Sequence, residues 1–281
     1  MAAATELPTT PGGAPQRSVM LPKQELLEGC RDPQGIKTLL ELSETVLRTW
    51  QPLWSPFLSA PLREEAVGRL LELAELQVHS DGGRQGAERQ RLLISRRCEV
   101  NDVLERHPLP VMGLEVEGNF LFDPLEPEDM RTAIASLGIS DGEIGDIWIR
   151  GDRGAQALCT PEAAAALNGK TSHVREVEIQ MEQRGVEMLQ LPSIRTTKRF
   201  TSVEASCRLD AIASAGFGIS RARVLQQIRS GRLRLNWQAV RLASKSLSSG
   251  DRLQLQDRGS LEVLSLELTK RDRWRVTMER S

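Results

Sequence analysis

Between Cys207 and Asn236 the sequence leaves few folds open. Two apolar stripes at helical spacing, Leu209/Ile212/Ala213 and Val224/Leu225/Ile228, are separated by Gly216-Phe217-Gly218-Ile219, so each helix has one face to bury. Ser220 is placed to cap the start of the second helix, and Gly231 stands where a left-handed residue would end it. Arg232-Leu233-Arg234-Leu235-Asn236 then alternates as a strand does, with Leu233 and Leu235 facing inward. Two short helices and a strand on one shared core are therefore predicted. Opposite the second apolar stripe lie Arg223, Gln226, Gln227 and Ser230, flanked by Arg229, while Arg232 and Arg234 continue outward on the strand.

Residues 218–236 hold five arginines, two glutamines and no carboxylate, in a chain of 281 residues with a formal net charge of only −1. The balance is local. Residues 191–281 carry 18 basic against 8 acidic side chains, and the first 190 carry 19 against 30. Such asymmetry fits a polyanion partner for the basic half, nucleic acid or an anionic membrane surface, with a plain solvated face as the alternative. Guanidinium forks match phosphate oxygens without reading base identity, so this surface suits RNA shape. Five phosphate contacts would give a log–log salt slope of roughly −3.5 to −4.5.

Upstream, Ile36, Leu39, Leu40, Val46, Leu47 and Trp50 recur at spacings of three and four. A second such pattern, Leu62 to Ala74, follows the proline-punctuated run QPLWSPFLSAP. A helical subdomain over residues 23–80 is expected after a disordered tail at 1–22. Strand-like and helix-like runs then alternate through residues 81–184, with RGDRGA as a hairpin turn and Thr160-Pro161-Glu162 opening a helix. That pattern predicts an RNA-recognition-like, ferredoxin-like sandwich, and α+β as the fold class. Residues 185–204 read as a linker, 205–265 as the basic RNA-binding domain, and 266–281 as a C-terminal strand extension. Cys30, Cys98, Cys159 and Cys207 are far apart, which predicts free thiols, no zinc site and a reducing, cytoplasmic compartment. No run of 18 or more apolar residues suggests a membrane span.

The run RLDAIASAGFGISRARVLQQIRSGRLRLNWQAVRLASKSLSSGDRLQL resembles an S4-type RNA-binding domain through Arg208-Leu209-Asp210, Gly216, Ser220-Arg221, Ile228, Gly231, Leu233/Leu235/Asn236, Lys245-Ser246 and Gly250-Asp251. The resemblance implies an L-shaped surface packing on structured RNA. Position by position it implicates Arg208, Ser220, Arg221, Arg223, Arg229, Lys245 and Arg252, beside the Gln227, Arg232 and Arg234 of the outward face. Trp237 departs from the pattern, since glycine usually follows the asparagine, and tryptophan should resist the positive φ of that turn. GGRQGAERQRLLIS, IASLGISDGEIGDIWIRGDRGA and GSLEVLSLELTKRDRWRVTMER extend the likeness to the YlmH-like family, most of all its cyanobacterial and plastid photosystem II S4 domain type. This implies RNA binding, to ribosomal RNA or tRNA, and association with the large ribosomal subunit; from the residues themselves no cofactor or metal is expected.

Enzymatic readings find less support in these residues. A pseudouridine synthase would need a large catalytic domain after the S4 module. A methyltransferase would need a glycine loop between strand and helix, whereas HSDGGRQGAERQR precedes a strand. Asn168-Gly169-Lys170-Thr171-Ser172 lacks the upstream glycine of a phosphate loop, because Ala164 stands there. Glu115 and Glu117 read as a solvated strand face. A non-enzymatic RNA-binding protein is the expectation, with Arg84, Arg89, Arg91, Arg96 and Arg97 as auxiliary contacts. RNA modification and photosystem II assembly are the alternatives, and the oligomeric state stays open.

Overall fold

A computed structural model describes residues 21–97, 103–193, 197–255 and 258–281. The tail expected at 1–22, apart from Leu21 and Pro22, lies outside the described residues, as does Cys98. The fold is α+β, as the alternating patterns imply, and its apolar side chains gather into three clusters.

The first cluster joins α1 (Lys23–Leu27), α2 (Pro33–Thr49) and α3 (Ala60–Leu71) to a three-stranded antiparallel sheet of β1 (Leu53–Trp54), β2 (Leu76–Asp81) and β3 (Arg91–Arg96), ordered β1-β3-β2. Asp32 accepts a hydrogen bond from the Gly35 amide at 2.9 Å and so starts α2, whose Ile36, Leu39, Leu40, Val46 and Leu47 are buried against Leu92 and Ile94 of β3. Trp50 ends α2 in the left-handed region at φ 63°, under the Arg96 guanidinium 3.8 Å from its ring centre. The sequence assigned residues 81–96 to the second domain and expected helices alone before them. Instead β2 and β3 complete the first unit, because they bury α2 and α3.

After α4 (Val103–Arg106), a second unit runs β4 (Met112–Gly118), α5 (Pro127–Ser136), β5 (Ile144–Ile149), β6 (Gly154–Cys159), α6 (Pro161–Leu167), β7 (Thr171–Val174) and β8 (Val177–Arg184). The antiparallel order β5-β6-β4-β8-β7 is the ferredoxin-like arrangement with β7 added at one edge. Leu114, Val116, Ala157, Ile179 and Met181 face α5 and α6 and form the second core. Thr160 caps α6 through the Ala163 amide at 3.3 Å, and Gly154 at φ 126° lies so close to the Val116 carbonyl that no side chain fits.

The third unit is a six-stranded antiparallel sheet with two helices on one face. Its elements are β9 (Lys198–Glu204), α7 (Leu209–Phe217), α8 (Arg221–Arg229), β10 (Leu233–Leu235), β11 (Gln238–Ala239), β12 (Arg252–Leu255), β13 (Gly259–Leu268) and β14 (Trp274–Arg280), in the sheet order β11-β10-β12-β13-β14-β9. Part of the expected linker is therefore strand β9, paired along its length with β14, and the C-terminal extension is the strand between β9 and β13. Leu209, Ile212, Phe217, Val224, Ile228, Leu233, Leu235, Leu253, Leu261, Val276 and Met278 share the core. Burying each such side chain stabilises the unit by about 1.5–3 kcal/mol relative to exposure.

Candidate nucleic-acid interface

Helix α8 presents the arginine face because capping and core contacts hold both its ends. The Ser220 hydroxyl accepts from the Arg223 amide at 3.3 Å, and Gly231 at φ 70° turns the chain into β10. Val224 and Ile228 are buried, leaving Arg223, Gln226, Arg229 and Ser230 exposed. Two assignments change. Leu225 is 38% exposed and lies outside the core stripe, and Gln227 is half-buried beside it. A nine-residue helix on a sheet buries a narrow strip, so positions flanking Val224 and Ile228 split differently from the helical-wheel reading. Ser220 serves as a cap, so its hydroxyl is already committed to the backbone.

Arg232 and Arg234 extend the face. Arg234 projects from β10 beside Ala239 and Gln254, opposite to the buried Leu233 and Leu235. Arg223, Arg229, Arg232, Arg234 and Lys245 are exposed and have no ion-pair partner among the described residues. Unpaired guanidinium groups keep their donors available for phosphate.

Arg208, Arg221 and Arg252 are partly engaged. Arg208, at the N-cap of α7, grips the buried Asp210 with two hydrogen bonds of 3.0 and 3.2 Å while its own side chain remains about half exposed. Desolvation pushes the Asp210 carboxyl up, but the hydrogen bonds and charge of Arg208 outweigh it and hold the group below its usual range. Lys245 lies beside this pair, its carbonyl accepting from the Leu209 amide at 2.8 Å. Arg221 leans toward Glu204 at 3.9 Å. Arg252 is bound on two sides, by Glu262 at 2.9 Å and by Glu64 of α3, which also accepts the Trp237 indole N–H at 3.3 Å. Asn236 and Trp237 adopt φ 46° and 70°, so the turn keeps the left-handed form that tryptophan was expected to resist. Asn236 holds it, donating to Asp251 at 2.8 Å and accepting from the Arg252 amide at 2.9 Å.

Four of the five upstream arginines expected as auxiliary contacts are shown in structural roles. Arg84 pairs with buried Asp146 at 2.6 Å, and the same carboxylate accepts the Glu88 and Arg89 amides at 3.1 and 2.9 Å. Arg89 donates to the Ile144 carbonyl at 2.9 Å and to Asp141, Arg91 to the carbonyls of Ser55 and Pro110, and Arg96 to that of Leu47. Backbone carbonyls at the junction of the first two units need donors, and Arg84, Arg89 and Arg91 supply them, while Arg96 satisfies a carbonyl at the end of α2 within the first unit. Asp146, the hub of this junction, passed unnoticed in the sequence because one aspartate in a strand carries no distinctive pattern. The open face of the central sheet is also occupied: Glu115 pairs with Arg150 at 3.1 Å, and Gln190 bonds Gln156, Arg150 and Trp148 across it. Leu189 packs over Gly113 on the same face. This face offers no row of aromatic rings for base stacking, and Glu115 belongs to a network instead of a solvated strand face.

Among the described residues no helix is long and apolar enough to cross a membrane, and no cluster of three His, Cys, Asp or Glu could hold a metal ion. Residues 31–98 match the family model described as YlmH, N-terminal, and residues 207–253 match the S4 domain. The chain is 22% identical over 246 residues to the ribosome-associated protein quality control protein P2 of Bacillus subtilis (strain 168), covering 87% of this chain and 93% of that protein. A solved structure, the cell division protein ylmH from Streptococcus pneumoniae, overlaps 56% of this chain and 92% of its own at 17% identity and a TM-score of 0.40. The first match spans α2, α3 and the small sheet of the N-terminal unit, and the second spans α7 to the start of β12. The chain is thus similar to the YlmH N-terminal model over its first unit and to the S4 domain over α7 to the start of β12.

Proposed function

We propose that this protein is a non-enzymatic RNA-binding protein that docks its S4 domain on structured RNA, ribosomal RNA or tRNA, at the large ribosomal subunit. The observation that carries the reading is the face of exposed, unpaired Arg223, Arg229, Arg232 and Arg234 on α8 and β10, held rigidly over one apolar core. The S4 match over the same residues and the ribosome association in the Bacillus relative's name support it. The finer likeness to the cyanobacterial and plastid photosystem II S4 domain type rests on the overall form of the sequence, in the runs on both sides of the S4 segment.

Charge reversal at Arg223 and Arg229 tests it. Loss of two phosphate contacts should flatten the log–log salt slope of RNA binding by about 1.4–1.8 and weaken binding at low salt. Unchanged affinity and slope would refute the assigned face. The non-enzymatic part of the reading is tested by incubating the protein with undermodified RNA and a methyl donor. Newly modified nucleosides in the mass spectrum would overturn it.

A further inference from the structure

We infer that the tip of the β13–β14 hairpin, carrying Lys270, Arg271 and Arg273, is a second RNA-phosphate contact that prolongs the α8 face beyond the matched S4 segment. The inference rests on the RNA-binding reading above. The hairpin lies outside residues 207–253, so the S4 match does not speak to it.

The tip is built as a fixed support. Thr269 and Arg273 close it, with the Thr269 amide donating to the Arg273 carbonyl at 2.7 Å and the Arg273 amide to the Thr269 hydroxyl at 3.2 Å. The Asp272 amide returns to the Thr269 carbonyl at 3.1 Å, with Asp272 itself left-handed at φ 51°. A three-residue loop ending in a left-handed residue is a common rigid hairpin form. Below it, Trp274 packs against the S4 core and anchors the strand ends. Lys270, Arg271 and Arg273 are exposed and have no ion-pair partner among the described residues, and Asp272 is the only acid between them.

Its place in the sheet joins it to the first face. Trp274, next to Arg273, stands opposite Glu204 in the β14–β9 pairing, and Glu204 is the carboxylate toward which Arg221 leans at 3.9 Å. Arg221 opens α8, and its charge acts on Asp210, the partner of Arg208. Arg208, Arg221 and the tip therefore follow one another around the same end of the domain, with a single carboxylate between Arg221 and the hairpin. Paired strands hold opposing Cα atoms about 4.5–5.5 Å apart, so one RNA backbone can reach both groups. A lipid surface fits less well: every residue of the tip from Thr269 to Arg273 is polar, whereas interfacial insertion needs apolar side chains at the leading edge.

The test replaces Lys270, Arg271 and Arg273 by alanine in the full chain. Bulk tRNA and a labelled RNA stem-loop serve as probes, alongside vesicles of mixed neutral and anionic phospholipid. The triple variant should keep the thermal midpoint of the unmodified protein, bind RNA several-fold more weakly at low salt, and show a salt slope shallower by about 1.4–2.7, for two to three lost contacts. Wild-type affinity and slope in this variant, while the Arg223/Arg229 reversal still weakens binding and flattens its slope, would overturn the inference and leave the RNA-binding reading standing. Loss of vesicle binding with RNA binding intact would overturn it in favour of a membrane contact. No RNA binding by the unmodified chain would overturn both.

Discussion

Gly216 lies in the last turn of α7, one residue before its end, where helix propensity favours alanine by at most about 1 kcal/mol, so a surface rule would make G216A stabilising. The packing reverses the sign. A Cβ there would overlap Leu261 Cδ2 of β13 and lie 2.8 Å from Cδ1 and 3.0 Å from Cγ. Leu261 is fully buried in the same core, so it cannot swing into solvent, and either its rotamer or the α7–β13 spacing must give way. Forced overpacking of this kind costs about 1–3 kcal/mol and more where several atoms collide. Three Leu261 carbons lie within 3.0 Å of that Cβ, so the upper part of the range applies, about 2–3 kcal/mol. Net of a gain of about 1 kcal/mol, G216A should lose about 1–2 kcal/mol, a fall of roughly 4–16 °C in the S4 unit's melting midpoint on the scale of 4–8 °C per kcal/mol. Thermal unfolding of the full chain, followed by tryptophan fluorescence, measures it. Pairing G216A with L261V, which shortens the colliding side chain, should cost less than the sum of the single changes. If G216A melts at or above the unmodified protein, the close α7–β13 approach is wrong, and so is the placement of α8 that depends on it.

Ser220 is assigned to capping, so S220A should destabilise by about 1 kcal/mol, while S220D should keep stability and weaken RNA binding through its charge. Equal stability of S220A and wild type in urea titrations would contradict the cap. The Cys159 thiol, pushed up to about 12 by burial and then by Glu143, should resist iodoacetamide at pH 8 in the native protein and react only on unfolding. Modification of Cys159 before unfolding, seen by mass spectrometry, would contradict its burial. W237G relieves a left-handed tryptophan, a strain of about 1 kcal/mol, while losing one exposed hydrogen bond to Glu64, so it should melt no lower than the unmodified chain. A clear drop would mean that the indole contributes more than that bond. Asp210 is held below its usual range when folded, so its stabilisation is present above about pH 4 and is lost as pH falls through the folded value. D210N should flatten the acid limb of a stability–pH curve, and an unchanged limb would contradict the Arg208 clamp.

The S4 unit was legible because its signals are local. Ser220, Gly231 and the Leu233/Leu235 alternation each fix their own turn or strand, and the observed elements begin and end where those residues place them. The α+β alternation of the second unit was legible for the same reason, from hairpin and cap residues, whereas its strand order comes from pairing between distant segments. What escaped was long-range. The apolar run within residues 91–96 looks equally strand-like in either domain, and only its burial against the helices of the first unit assigns it there. β9 looked like linker because it is an edge strand with alternating exposure, defined by its pairing with β14, which is distant in sequence. Trp237 was expected to resist its turn, yet Asn236 and Asp251 hold the backbone through hydrogen bonds that no local propensity contains.

The same distinction separates the arginines. Sequence shows charge but not what lies within reach of it, and the two basic groups of this chain differ on that point. Arg84, Arg89 and Arg91 meet carbonyls and a buried carboxylate at the junction of two units, and Arg96 meets a carbonyl within the first, so each desolvated acceptor gains a donor and the charge is spent internally. Arg223, Arg229, Arg232 and Arg234 project from a helix and a strand whose other faces are already buried, leaving nothing in the fold to receive them. The acid surplus of the first 190 residues does little to neutralise this face: within the third unit the ion pairs recorded for its basic side chains involve Arg208, Arg221, Arg252 and Arg275. A net charge near zero therefore coexists with a locally cationic surface. That surface should respond to salt as a polyanion-binding face does, even though the whole molecule, near neutrality, has little long-range attraction for RNA.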